Sequence, residues 1–238
     1  MPNAADNLPI LSVNRKYYTL IPSRFPPIDL FDRLMGLQRD AVVEIEALTN
    51  PRLRERERLL NGVNATDASS PHLQNWNHAP FAYPNPEGSW FFDETRPALE
   101  LADTLQTALA VSVRKRELFL ARTGEDPVDL DMRVLSRCVK GKFLDASSWD
   151  PNLSKEERWS RGRDILDREV DGVIFRCPHR PSAQCIAILN GQALGRAVQE
   201  EHFRFVWDGQ RIKTLYAFRD GLVILPERLA MPEAVLAA

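Results

Sequence analysis

The pattern of apolar and polar positions predicts one strand near the start of the chain and several in its C-terminal half. Lys16–Ile21 is rich in β-branched and aromatic residues, as strands usually are. Segments of similar composition follow at Ala98–Ala102, Asp129–Val139, Gly172–Phe175, Gln184–Leu189, His202–Trp207 and Arg211–Phe218. Between the last two, Asp208 and Gly209 predict a two-residue hairpin turn.

Apolar residues at helical spacing predict helices between these strands. They begin at Asp29, near residue 40, at Pro51, at a cap formed by Asp103 or Thr104, and at Lys155. The fourth is the longest and ends near Arg122, while the fifth is polar, amphipathic and ends near Glu169. Together the elements predict a mixed α/β (α+β) fold, a single domain around a central, mostly antiparallel sheet.

Val111 is an apolar residue that lies off the apolar stripe of the longest helix. The apolar stripe of that helix consists of Leu105, Ala108, Leu109, Val113 and Leu120. At about 100° per residue, Val111 points away from this stripe, towards the side of Thr104, Lys115 and Leu118. It is either part of a second packing surface or a site position that lacks a polar group.

The segment Arg52–Leu60 alternates basic and acidic residues. Glutamate and arginine at three- and four-residue spacing are typical of a solvated helix face. A basic patch for phosphate is the less favoured interpretation, because the acidic residues cancel the field that phosphate binding needs.

A long segment with little periodicity, Gly62–Gly88, separates this helix from the next strand. Long loops often form lids or binding loops. Aromatic residues cluster in it or just after it: Trp76, Phe81, Tyr83, Trp90, Phe91 and Phe92. They could stack on a nucleobase or nicotinamide, but the favoured interpretation is that they attach the loop to the core.

The bulk composition suits a folded domain with no general affinity for nucleic acid or membranes. The 238 residues are 44% apolar and carry a net charge of −2, so we expect neither direct nucleic-acid binding nor attraction to anionic lipid. The N-terminus lacks the basic start and apolar core of a secretory signal, so we expect none, and the sequence contains no apolar run of membrane-spanning length. We expect a flexible leader over residues 1–14, a domain over 15–225 and a tail over 226–238.

The three cysteines, Cys138, Cys177 and Cys185, do not form a disulfide framework, and we expect a reducing, cytoplasmic location. Cys177 and Cys185 with His179 resemble part of a zinc site, but a fourth ligand at suitable spacing is absent from the sequence. We therefore predict no metal site.

Five segments of the chain carry a further signal through their order and separations. They are Ser23–Phe31 (SRFPPIDLF), Glu46–Arg54 (EALTNPRLR), Asp103–Leu120 (DTLQTALAVSVRKRELFL), Asp171–Phe175 (DGVIF) and Phe205–Ile212 (FVWDGQRI). Together they resemble the RES-domain family of bacterial toxin–antitoxin toxins. The resemblance spans about residues 17–215. It implies a fold like that of ADP-ribosyltransferases and cleavage of the nicotinamide–ribose bond of NAD by phosphorolysis, hydrolysis or ADP-ribosyl transfer. The implied partner is an antitoxin with a helix-turn-helix domain that blocks the NAD cleft. A second copy of this chain, in a homo-oligomer, is a further candidate partner.

Such a reaction has known chemical requirements. Cleavage builds positive charge on the ribose, as in glycosidases, and a fixed carboxylate stabilises that charge. Arginine clamps the pyrophosphate through paired hydrogen bonds, and a tyrosine stacks on the nicotinamide. A hydroxyl group holds the carboxamide or the ribose.

At the positions where the family carries these groups, this chain has other residues. The first-strand arginine falls on Thr19, and the arginine of Gly-Ser-Arg-Phe falls on Trp90, after Ser89. The strand tyrosine falls on Glu100. The helix glutamate falls on Val111 and the late serine on Cys177. By this resemblance Ser89, Trp90, Glu100 and Cys177 are the candidate nucleotide-binding positions.

Substitutes for the lost groups are available. Arg15 or Lys16 could replace the first arginine if the strand slips, and Glu100 could supply a carboxylate. Arg96 or Arg114 could bind phosphate. Cys177 could act as a donor or nucleophile if Arg176 or His179 lowered its pKa.

Three hypotheses follow. The favoured one is a catalytically degenerate RES-like protein that binds a partner or a nucleotide and requires no cofactor, because several site positions differ together. The second is an NAD-consuming enzyme with a rearranged site, in which NAD is the substrate and Glu100 the carboxylate. The third is a different ligand on the same fold, since a fold does not determine function.

Overall fold

The computed structural model describes residues 7–23, 50–61, 65–83, 85–150 and 152–236. Within these ranges the chain forms one eight-stranded sheet with helices packed on it. Seven of the eight strand pairings are antiparallel, which confirms the predicted mixed α/β class and its mostly antiparallel sheet. The helices predicted from Asp29 and over residues 40–48 lie outside the described ranges.

The strands extend further than their apolar runs alone suggest. They are β1 (Ile10–Pro22), β2 (Leu99–Ala102), β3 (Val128–Asp145), β4 (Gly172–Cys177), β5 (Arg180–Ile188), β6 (Val198–Trp207), β7 (Ile212–Ala217) and β8 (Val223–Ile224). The long strands β1 and β3 pair from Ile10↔Leu144 to Pro22↔Met132. This pairing is the longest between any two strands of the described sheet.

The described helices are α1 (Pro51–Asn61), α2 (Asn75–Ala82), α3 (Leu105–Thr123), α4 (Lys155–Leu166) and α5 (Pro226–Leu229), with short 3-10 turns at Pro71–Leu73 and Gly191–Ala193. Thr104, not Asp103, caps α3, because its side chain accepts a hydrogen bond from the Thr107 N–H. The helix ends at Gly124, whose φ of 64° favours glycine.

Five of the strands form a closed ring of pairings in the order β1, β2, β5, β4, β3 and back to β1. One apolar cluster contains side chains from all five, including Tyr17, Leu101, Phe143, Ile174 and Ile186. The alternate side chains of these strands lie on the opposite face. There they join residues of α3 and α4 in two further clusters, which hold the helices against the sheet.

Several boundaries differ from the sequence-based expectation. The first strand begins at Ile10, so residues 10–14 of the predicted leader belong to β1. The segment expected to be a tail contains α5 and a buried Leu229, and the Val235 N–H donates to Gln106. Both segments contribute to the fold because each pairs or bonds through its backbone, which composition does not reveal.

The segment Gly62–Gly88 is less irregular than expected, because it contains one 3-10 turn and α2. Its aromatic residues support the favoured interpretation. Phe91 and Phe92 are buried, and Phe81 packs on the apolar cluster that contains side chains from all five strands of the closed ring. The hairpin after β6 is also longer than predicted. Its loop covers Asp208–Arg211, because β6 ends at Trp207 and β7 begins at Ile212. Within the loop the Asp208 carboxylate accepts the N–H groups of Gln210 and Arg211.

Candidate active site and its occupants

Glu100 is the central ionisable group of the region that the resemblance identifies. It lies on β2, and its carboxylate is bonded on both oxygens. The Trp90 N–H donates to Oε1 at 2.6 Å, and Lys115 Nζ donates to Oε2 at 2.9 Å. The carboxylate side chain is 16% exposed, whereas the lysine side chain is 51% exposed. The site thus contains a carboxylate whose negative charge is paired with the charge of a lysine.

The ionisation of this pair follows from its surroundings. Burial raises the pKa of Glu100, but the charge and hydrogen bond of Lys115, with the Trp90 N–H, outweigh burial and lower the pKa overall. Glu100 in turn raises the pKa of Lys115. Both groups are therefore charged at neutral pH.

Trp90 is fixed by α4. The Arg158 guanidinium lies 3.7 Å from the centre of the Trp90 ring, and Arg158 Nε donates to the Trp90 carbonyl at 3.1 Å. The ring of Phe175 is nearly parallel to it, at a centroid distance of 6.4 Å. Ser154 caps α4 with a complete capping box, which fixes the helix that carries Arg158.

A cleft of about 190 Å³ lies beside Glu100. Its lining is polar and of mixed charge: Thr19, Tyr83, Asn85, Ser89, Asp93, Arg96, Glu100 and Lys115, with Pro80, Gly88, Pro97, Ala98 and Leu99. Three of the predicted positions, Thr19, Ser89 and Glu100, thus line one cleft. Trp90 adjoins it through its backbone.

The other two predicted positions, Val111 and Cys177, lie in the core instead. Val111 is half-buried and packs against the cluster that contains Phe175 and Cys177, so the second packing surface is the correct interpretation. Cys177 is fully buried. A hydrogen bond from the Cys185 thiol, with the N–H groups of His179 and Arg180, lowers the pKa of Cys177 although burial opposes this. The cationic side chains expected to lower it are not the main cause.

The proposed substitutes for the first arginine do not line the cleft. Arg15 approaches Asp103 at 3.9 Å, and Lys16 forms an ion pair with Glu200. Arg114 is 3.9 Å from Glu117. Of the candidate cations, only Arg96 is among the lining residues of this cleft, where Lys115 joins it.

Sequence reasoning missed the two residues that organise the site, Lys115 and Arg158. A signal existed for Lys115, since it lies four residues after Val111 and therefore on the same side of α3. No local signal indicated Arg158, because its contact with Trp90 joins segments 68 residues apart.

The described residues contain no cluster of three or more side chains arranged to hold a metal ion. All three cysteines are free thiols. Among the helices in the described ranges, none is long and apolar enough to cross a bilayer.

A comparison with known protein families agrees with the resemblance in the sequence. The family model described as "RES domain" matches residues 67–208. Uncharacterized protein y4oC of Sinorhizobium fredii (strain NBRC 101917 / NGR234) is 52% identical over 221 residues, which cover 92% of this chain and 95% of that protein. A solved chain from the M. tuberculosis MbcT-MbcA toxin-antitoxin complex is 10% identical, with a TM-score of 0.44, over 92% of this chain and 89% of its own.

The family match covers more than half of the chain and includes β2 to β6 and every lining residue of the cleft except Thr19 of β1. The chain belongs to the RES-domain family.

Proposed function

We propose that this chain is a non-catalytic RES-domain protein of the toxin–antitoxin type, which acts by binding a partner protein or a nucleotide. The observation that carries this proposal is the state of Glu100. Its two oxygens are engaged by the Trp90 N–H and by Lys115. A carboxylate that is already neutralised stabilises a developing positive charge poorly.

The remaining positions support the same conclusion. Val111 offers no carboxylate, and Trp90 replaces an arginine that would clamp a pyrophosphate. Cys177 is sealed in the core. Loss of one preorganised charge-stabilising group costs about 10²–10³ in rate. Several such losses together remove useful turnover even though their effects are not additive.

The size of the cleft also favours binding of a small group over a dinucleotide. Pockets that enclose drug-sized ligands have volumes of about 300–1,000 Å³, and this cleft has about 190 Å³. A partner's side chain or part of a nucleotide fits that volume. NAD would therefore enter this cleft only in part, and the proposed function requires no cofactor.

The proposed partner is an antitoxin or a related protein with a helix-turn-helix domain, as the family resemblance implies, in the cytoplasm. It would bind over the cleft, where Tyr83 and Lys115 are exposed. Co-expression with the product of a neighbouring gene, followed by size-exclusion chromatography, tests this part. A stable complex that Lys115→Glu disrupts is the expected result; co-elution unaffected by that change places the partner elsewhere.

The alternative is an active NAD-consuming toxin in which Glu100 is the working carboxylate. Expression of the intact chain in a bacterial host separates the two. We expect normal growth and unchanged cellular NAD with both wild type and Glu100→Gln. NAD depletion by wild type that is lost in Glu100→Gln would establish the alternative.

A further inference from the structure

Arg137 is a buried cation with no counter-charge among the described residues. It lies on β3 and is 2% exposed. Its Nη1 donates to Asn77 Oδ1 at 2.8 Å and to the Trp76 carbonyl at 3.3 Å. Its Nε and Nη2 are also buried, and neither has an acceptor among the residues that the structure describes. Two N–H-bearing nitrogens of a guanidinium are therefore unused.

The neighbours of Arg137 on the sheet are apolar or aromatic. Leu135 and Val139, two positions away on the same face of β3, are buried, and the residue paired with Arg137 on β1 is the buried Tyr17. Burial alone lowers the pKa of Arg137 to about 10, and no carboxylate opposes that effect. Taking an ion out of water is unfavourable unless an opposite charge accompanies it.

Arg180, another buried arginine of the same fold, has a hydrogen-bond acceptor for each of its side-chain nitrogens. Arg180 is 8% exposed. Its Nε donates to the Met231 carbonyl, Nη2 to the Pro232 carbonyl, and Nη1 to the hydroxyls of Thr104 and Thr107. Every nitrogen of Arg180 is used, so burial of an arginine in this fold does not by itself leave its nitrogens without acceptors.

We propose that Arg137 anchors a buried site for a small inorganic anion of about the size of chloride, held by its Nε and Nη2. An anion satisfies both donors and neutralises the charge, and because protein atoms enclose both nitrogens, the surrounding side chains must move apart to admit it. A water molecule satisfies the donors but leaves the charge uncompensated and brings two O–H groups that need acceptors. Arg137 is not among the residues that line the cleft beside Glu100. This site is therefore independent of the proposed function.

Two measurements test the proposal with chloride and its heavier analogue bromide as probes. In crystals of the full chain soaked in bromide, we expect an anomalous peak within hydrogen-bonding distance of Arg137 Nε and Nη2. In solution, exchange of gluconate for about 150 mM chloride at constant ionic strength should raise the Tm by a few degrees, about 2–4 °C for a chain of this size.

Matched variants identify the residue responsible. Arg137→Met should abolish the chloride-dependent shift, whereas Arg176→Met, which removes an exposed arginine of β4, should retain it. If Arg137→Met does not fold, Arg137→Lys, which keeps the charge but not the paired donors, should show a reduced shift. A bromide peak absent from Arg137, binding at crystal concentration only, or an equal shift in wild type and the Arg137 variant would overturn the proposal.

Discussion

Lys115 Nζ lies 2.9 Å from Glu100 Oε2, so a cation of helix α3 is paired with the carboxylate of strand β2. In RES proteins, by the resemblance described above, the working carboxylate belongs to the helix and the strand carries a tyrosine. Here the helix has Val111 at that position and supplies a lysine one turn later. The carboxylate of this site therefore has a partner inside the protein.

The pair should stabilise the fold as well as neutralise the site. Glu100→Gln removes the charge but keeps an oxygen that can accept the Trp90 N–H. We expect a loss of about 1 kcal/mol in the free energy of unfolding, measured by urea denaturation. Glu87→Gln removes an exposed ion pair with Arg122 and should change stability by less than about 0.5 kcal/mol. Equal effects of both changes would contradict a special role for Glu100.

The lowered pKa of Glu100 makes stability depend on pH. Because the pKa is lower in the folded state, the stabilisation is present above the ordinary glutamate pKa of 4.5 and is lost as the pH falls through the folded value. Between about pH 5 and pH 3, stability should therefore fall more steeply for wild type than for Glu100→Gln. Parallel curves would show that folding does not change the Glu100 pKa.

Close packing of α4 against the Trp90 segment should make Gly162 intolerant of a side chain. A Cβ atom at Gly162 would lie 1.7 Å from the Phe91 carbonyl oxygen, so the helix or the segment must move. We expect Gly162→Ala to cost about 1–3 kcal/mol in chemical denaturation. Ser160→Ala, at an exposed position of the same helix, is the control and should lie within about 0.5 kcal/mol of wild type. A stable Gly162→Ala protein would place α4 further from Phe91.

Burial predicts which cysteines react. Cys138 is exposed, whereas Cys177 and Cys185 are buried. A thiol reagent should label one thiol rapidly in the folded protein and all three in denaturant. Cys138→Ser should remove the rapid reaction. Rapid labelling of Cys177 in that variant would show that the position is accessible and would restore it as a candidate nucleophile.

The sequence predicted the parts of the fold that depend on local patterns. The strand Lys16–Ile21 and the long helix after Thr104 have strong periodicity or a clear cap, and both are present. The start of β1 at Ile10 was not predicted, because its first residues are mostly exposed and are defined by pairing with β3. Pairing between distant strands leaves no local periodicity.

The site was predictable only as far as family positions extend. Three of the positions identified by the family resemblance, Thr19, Ser89 and Glu100, line one cleft. The family positions did not identify Lys115 or Arg158, because each contacts its partner across the fold and replaces no family residue in sequence. The buried environment of Cys177 likewise depends on strand β5 beside it, through Cys185.

We propose that this RES-domain protein does not turn over NAD, because the Glu100 carboxylate is already paired with Lys115. Purified protein should be incubated with NAD, with and without phosphate, while nicotinamide release is followed and cooperative melting confirms the fold. We expect no release above the buffer control from wild type or from Glu100→Gln. Multiple turnovers by wild type that disappear in Glu100→Gln would contradict the claim and identify Glu100 as a catalytic carboxylate.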